Sequence, residues 1–188
     1  MNRKILKADP RAWATMPSMV FEDVHFDLLS LHDKGVRSDD EEFDFNTELT
    51  FINCSIDTFN SATFFLGKKV TFKNCQVGDL FCYSTYLGGG FEIEDCIITR
   101  KTSFMAGVHN NEGCPFKIIN CRFEGYVDFY DVYFSGPVKI VGNEFVDGTN
   151  LNIYLNVPVG IGEGIPCLVE SNLGDMSKYA DDDPLRPK

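Results

Sequence analysis

Apolar and polar positions alternate with a period of two over short stretches that recur along the chain. Stretches 49–56, 70–77, 91–98, 116–123 and 138–145 align residue for residue, with starts 21, 21, 25 and 22 residues apart, and a degenerate copy stands at 19–26. The first and third positions are apolar throughout, as in Leu49 and Phe51, Val70 and Phe72, Phe91 and Ile93, Phe116 and Ile118, Val138 and Ile140. This is the mark of a strand with one buried face. The alternation resumes at the sixth and eighth positions, Cys54 and Ile56, Cys75 and Val77, Cys96 and Ile98, Cys121 and Phe123. The step between the two runs is out of period by one residue, so the chain has to turn. The fifth position holds Asn53, Asn74, Asp95, Asn120 and Gly142, residue types that tolerate the left-handed conformation.

A second strand follows in each unit. Ala62, Tyr83, Phe104, Phe129 and Leu151 fall in one column, and Leu66, Leu87, Val108, Tyr133 and Leu155 in another. Gly67, Gly88 to Gly90, Gly107, Gly136 and Pro137 mark the return loops. Columns that stay aligned over successive units predict coils stacked on one another, with a core that only stacking can bury. An antiparallel sandwich would also show short strands and turns, but nothing would keep its columns in step. The expectation is an all-β parallel β-helix, a solenoid of about six coils, with strands near 49–52, 54–57, 70–73, 75–78, 91–94, 96–99, 116–119, 121–124 and 138–141. Phe21, Val24, Leu28 and Leu31 also fit a short amphipathic helix, against which the matching columns favour a strand.

The stretch 123–129 through 134–145, together with the small-x-large pairs Cys54/Ile56, Cys75/Val77, Cys96/Ile98 and Cys121/Phe123, resembles degenerate pentapeptide-repeat proteins. The resemblance covers residues 49–157 and implies a right-handed quadrilateral β-helix whose members are mostly binding proteins, a few acidic ones mimicking DNA. The units here are longer than four strict pentapeptides. Ser61, Cys82, Ser103, Asp128 and Asn150 are also small or polar where a large central residue is due. A more irregular right-handed β-helix stands beside the square one.

A solenoid needs covered ends, because its terminal strands expose unpaired edges. Residues 1–18, with Trp13, are expected to cap one end, and 19–157 to form the β-helix, with an acidic excursion at 27–48 that includes Asp39, Asp40, Glu41, Glu42 and Asp44. Residues 158–188 are expected to form a C-terminal cap and mobile tail. Gly160, Gly162, Gly164 and Pro166 interrupt the repeat there.

Charge and chemistry narrow the function classes. Seventeen basic against 28 acidic residues leave a net charge of −11, which argues against nucleic acid and against an anionic membrane surface. No run approaches the roughly 20 apolar residues of a membrane helix, and no signal-peptide core develops. Seven cysteines without evident pairing fit a reducing compartment, so the expected location is the cytoplasm. Cys54, Cys75, Cys96 and Cys121 repeat with the fold and read as a buried, reduced ladder rather than a zinc site. Asp57, Asp79, Asp95, Glu124, Asp128 and Asp147 are scattered, and His25, His32 and His109 share no ligand spacing, so no catalytic set, metal or cofactor is expected. Lys73, Lys117, Lys139 and Arg122 interrupt any phosphate-like line of acids.

One apolar column stands out. In the second strand the position between the inward columns should face solvent, and it reads Phe65, Tyr86, Gly107, Val132 and Tyr154, with Tyr130 nearby. A row of exposed aromatics marks a contact surface, unless the excursion or the tail covers it. Phe65, Tyr86, Tyr130, Val132 and Tyr154 are therefore the candidate binding residues, for a protein partner or a second copy of the chain. The alternative is a carbohydrate-active or other enzyme with a shallow site on the same face. Asp131 lies in the adjoining column and either points into the core or is turned to solvent by a bulge.

Overall fold

The computed structural model describes residues 4–31, 44–155 and 160–181. The protein is all-β, and every registered strand pair is parallel. A seven-stranded sheet runs in order Ser18–Glu22, Glu48–Ile52, Val70–Lys73, Phe91–Glu94, Phe116–Ile119, Val138–Val141 and Cys167–Glu170. A second, larger sheet carries Lys4–Ile5, Val24–Ser30, Ser55–Asn60 and Gln76–Phe81. It continues through Ile97–Ile98, Arg122–Phe123, Glu144–Phe145 and Leu173–Gly174. A third side pairs Asp44–Phe45 with Phe65–Leu66 and is extended by the bridges Phe65 to Tyr86 and Phe134 to Ile161. Among the described residues no helix is long and apolar enough to cross a membrane.

The corner after each first strand is left-handed at the expected column: Asn53, Asn74, Asp95, Asn120 and Gly142 have φ of 54°, 52°, 54°, 54° and 70°. Asp23 and Ser171 occupy the same position in two further units. The last of these lies within residues 158–188, expected to form only a cap and tail, so the repeat runs past its expected end at 157. Cys167–Glu170 pairs in register with Val138–Val141, Val138 facing Cys167. Val24–Ser30 is a strand, not a helix, and it takes the first residues of the expected excursion into the sheet. The acidic run 39–42 lies outside the described residues.

One core serves all three sides. Phe51 stacks between Phe21 and Phe72, at 5.3 and 5.0 Å, and Phe59 meets Phe72 edge-on at 5.1 Å. Neighbouring parallel strands bring equivalent rings within stacking distance, so a repeated phenylalanine becomes a continuous stack. The thiols of Cys54, Cys75, Cys96 and Cys121 lie buried alongside, each donating to the carbonyl two residues earlier. Contact with the Cys75 thiol, then burial, raises the Cys54 thiol far above its ordinary range. Burial alone carries Cys82 up to about 12 against the hydrogen bond from Ser61. Asn143 continues the column and donates to the Ile118 carbonyl at 2.9 Å, while its Oδ1 accepts from the Cys121 N–H at 2.8 Å. At the N-terminal end the short helix Pro10–Ala14, capped by Asp9, lays Trp13 on Phe21 at 4.8 Å.

Candidate functional site

The exposed aromatics of the third side form a ladder, but not with all the expected members. Phe65 and Tyr86 are bridged strand residues, 36% and 48% exposed, with ring centroids 6.5 Å apart. The next rungs are His109 and Tyr133. Tyr86 stacks on His109 at 4.5 Å and 17°, and His109 meets the 36% exposed Tyr133 at 5.6 Å.

Val132 and Tyr154 turn inward, at 1% and 4% exposure. Two local events explain the correction. Gln76 and Val77 pair with Ile97 and Ile98 at a spacing of 21, but Leu80 and Phe81 pair with Thr102 and Ser103 at 22. One residue has been inserted in 99–101, and a one-residue slip exchanges the two faces of a strand. Val108 then adopts φ 68° as an extra residue, which hands the outward position to His109. After the left-handed corner at Asp131 (φ 53°), Val132 points in and Tyr133 points out. Tyr154 sits on a helical turn, Leu151–Leu155, in place of a strand, and packs edge-on against the half-buried Tyr130 at 5.3 Å. Asp131 is exposed, turned to solvent by the left-handed corner rather than by the expected bulge.

The rung at His109 is held from below. Asn110 follows it into the core, donates to the carbonyls of Cys114 and Pro137 at 2.9 and 3.2 Å, and accepts from the Gly136 N–H at 3.1 Å. Burial holds the His109 imidazole below its ordinary pKa, opposed in part by the charge of Asp131. Burial thus favours the neutral ring, and the tyrosine hydroxyls are the ladder's main polar atoms. Tyr86 and His109 each spend a ring face on the other, so what remains for a partner is mainly ring edges and the tyrosine hydroxyls.

Comparison with family models, with curated proteins and with solved structures finds no match to this chain. The reading of the site rests on its geometry.

Elsewhere the charged side chains mostly bridge neighbouring units. Arg100 holds Asp79 at 2.9 Å, Lys117 holds Glu92 at 2.8 Å, Lys178 holds Asp147 at 2.6 Å, and Arg122 pairs with Glu144. Burial pushes Glu92 up, but Lys117 and Lys69 outweigh it and leave the carboxyl below its usual range. Such carboxylates are ordinary ion-pair partners, not members of an acid–base pair. A cleft of about 530 Å³ opens between the N-terminal segment and the second sheet, lined by Ile5, Leu6, Lys7, Ala8, Asp27, Leu28 and Ser30.

His109 and Tyr133 were missed because sequence spacing counts every residue as one step. The signal that could have found them is the 25-residue spacing between the third and fourth units, which announces inserted residues without saying where they go.

Proposed function

We propose that this is a non-enzymatic binding or scaffold protein: a right-handed parallel β-helix that uses its aromatic ladder to hold a second copy of itself or another protein. The observation that carries the reading is the continuous ladder Phe65, Tyr86, His109 and Tyr133, in which three exposed rings flank the half-buried His109 on one side of the stacked units. Apolar area removed from water contributes about 25 cal/mol per Å², so several rings together outweigh part of the entropic cost of association. Strands that return to the same sheets in steps of 21 and 22 residues, always parallel, support the solenoid, and parallel crossovers are right-handed in the great majority of cases. The small-x-large spacing keeps the kinship with pentapeptide-repeat proteins as part of the proposal. Three strand-bearing sides of unequal length favour its irregular form. Seven free cysteines favour the cytoplasm as its place of action.

The carbohydrate-active reading has less support. Sugar stacking uses ring faces, and the central faces here are turned to each other. Glycoside hydrolysis uses two carboxylates flanking the bond, whereas the acid felt at the ladder is Asp131.

The test is sedimentation of the wild type and of Tyr86→Ser/Tyr133→Ser over a range of concentrations, with affinity capture of partners by each. Association or capture should be lost in the variant, with an unchanged circular dichroism spectrum. Contact through apolar edges should depend only weakly on salt. Identical behaviour of the two proteins in both assays sinks the proposal.

A further inference from the structure

We infer that His25, Asp27 and Asp57 form a binding site for one divalent transition-metal ion of the zinc type. The ligand atoms of the three side chains all lie within 4.8 Å of one another. The fold brings them together in a way the sequence conceals. His25 and Asp27 are two apart on one strand and so share a face, and Asp57 comes from the next strand in the sheet. The registered pairs Phe26 with Ile56 and Leu28 with Thr58 set Asp27 directly opposite Asp57.

Two observations point from this geometry to a cation. Like charges opposite one another on paired strands repel, and a metal ion between them turns that repulsion into attraction. Arg100 does not serve this purpose through its own ion pair, which is made with Asp79 at 2.9 Å, while its terminal nitrogen donates to the backbone carbonyl of Asp57. The imidazole is also oriented from behind: Ser55 Oγ lies 2.7 Å from Nδ1, which leaves Nε2 on the side of the carboxylates, 2.8 Å from Asp27 Oδ1. Metal-binding histidines are commonly fixed in this manner through their second nitrogen. In the neutral tautomer that serves both contacts, Nε2–H donates to Asp27 and the Ser55 hydroxyl donates to Nδ1. With metal, the proton moves to Nδ1, the hydroxyl turns to accept it, and Nε2 presents its lone pair.

Bonds of about 2.0–2.2 Å in a tetrahedral shell place donor atoms about 3.4 Å apart. The Nε2 to Oδ1 separation must therefore open by about half an ångström, a movement that the exposed Asp27 side chain allows. Three protein ligands leave at least one position for water or a bound anion. Imidazole nitrogen selects zinc, nickel, cobalt or copper over calcium and magnesium, which prefer oxygen shells.

The experiment is calorimetric titration of the untagged full chain with zinc chloride, repeated on His25→Gln, Asp57→Asn and His109→Gln, with circular dichroism of each. Wild type and His109→Gln should bind one ion per chain and gain thermal stability on binding. His25→Gln and Asp57→Asn should keep their fold and lose affinity at least tenfold, and millimolar calcium should not compete. Saturable binding that survives His25→Gln, or no binding to wild type below about 100 µM zinc, overturns the inference. Neither result bears on the aromatic ladder, whose residues the variants at His25 and Asp57 leave intact.

Discussion

The four repeats that start at Leu49, Val70, Phe91 and Phe116 turn twice through the left-handed conformation, and the two turns are built from different residues. The corner after the first strand uses Asp23, Asn53, Asn74, Asp95, Asn120, Gly142 and Ser171. The corner after the second uses Thr63, Ser84, Ala106 and Asp131. At the first corner the side chains suit the backbone and also reach each other: Asn74 Nδ2 donates to Asn53 Oδ1 at 2.7 Å, and Asn120 Nδ2 to Asp95 Oδ1 at 3.3 Å. At the second, a β-branched residue and an alanine are held in a conformation that costs about 1–2 kcal/mol for an ordinary L-residue. The neighbouring unit holds both corners, through Thr63 N–H to Tyr83 C=O at 3.1 Å and Ala106 N–H to Tyr130 C=O at 2.7 Å at the second, and through Asn53 N–H to Lys73 C=O at 3.0 Å and Asn74 N–H to Glu94 C=O at 2.9 Å at the first. Stacking holds both corners, but only the first is built mainly from residue types that favour its conformation.

If stacking governs both corners, damage to the shared core should remove them together. Phe72→Ala takes away a ring stacked on Phe51 and edge-on to Phe59, and should cost about 3–5 kcal/mol in a single cooperative urea transition. Two separate transitions would show the sides to be independent units. Cys75→Ser, which places a hydroxyl beside the first corner in the buried thiol column, should cost about 1–3 kcal/mol by the same measurement. A neutral result would mean that the column accepts polar groups freely, as Asn143 already suggests for its later members.

The comparison sharpens with a pair of opposite substitutions. Asn74→Ala should destabilise by about 1–2 kcal/mol, because alanine dislikes the left-handed corner and the asparagine ladder is cut. Thr63→Gly should instead stabilise by about 0.5–1 kcal/mol, the relieved strain exceeding the entropy glycine loses on folding. Denaturation curves that move the same way for both would sink the distinction between the corners.

The smallest effect concerns the rung beyond the second corner. Folding lowers the His109 pKa, so the unfolded chain binds the proton more readily. The stabilisation from neutral His109 is complete above the unfolded value of about 6.5 and is lost as pH falls through and below it. His109→Phe should flatten the part of the melting-temperature profile between about pH 7.5 and 5.5 that the wild type shows and the variant lacks. Parallel profiles for the two proteins would remove His109 from the account.

Much of the fold was legible because its signals are local. Alternation placed the strands of the first sheet to within a residue at either end, and Asn, Asp or Gly at the fifth position marked the first corner. The unit at 167–174 escaped notice because serine stands at its corner and its start lies 29 residues after Val138, beyond the 21 to 25 residues that separate the five aligned units. Half of the ladder, Phe65 and Tyr86, was visible in units of unbroken spacing. His109 and Tyr133 were not, since the extra residues in 99–101 and at Val108 change which face a side chain takes, and only the hydrogen-bond register shows where they are absorbed.

The amino-acid pattern by itself determined that this chain forms parallel strands with one apolar face, because a period of two and a tolerant corner residue act within a few neighbouring positions. Only the tertiary structure decided which aromatic rings stand in line and that His25 and Asp27 meet Asp57. Both depend on the register between units, which is set by contacts twenty or more residues apart in the chain. A single inserted residue is invisible to local pattern yet reverses the two faces of every strand position that follows it until the register is restored.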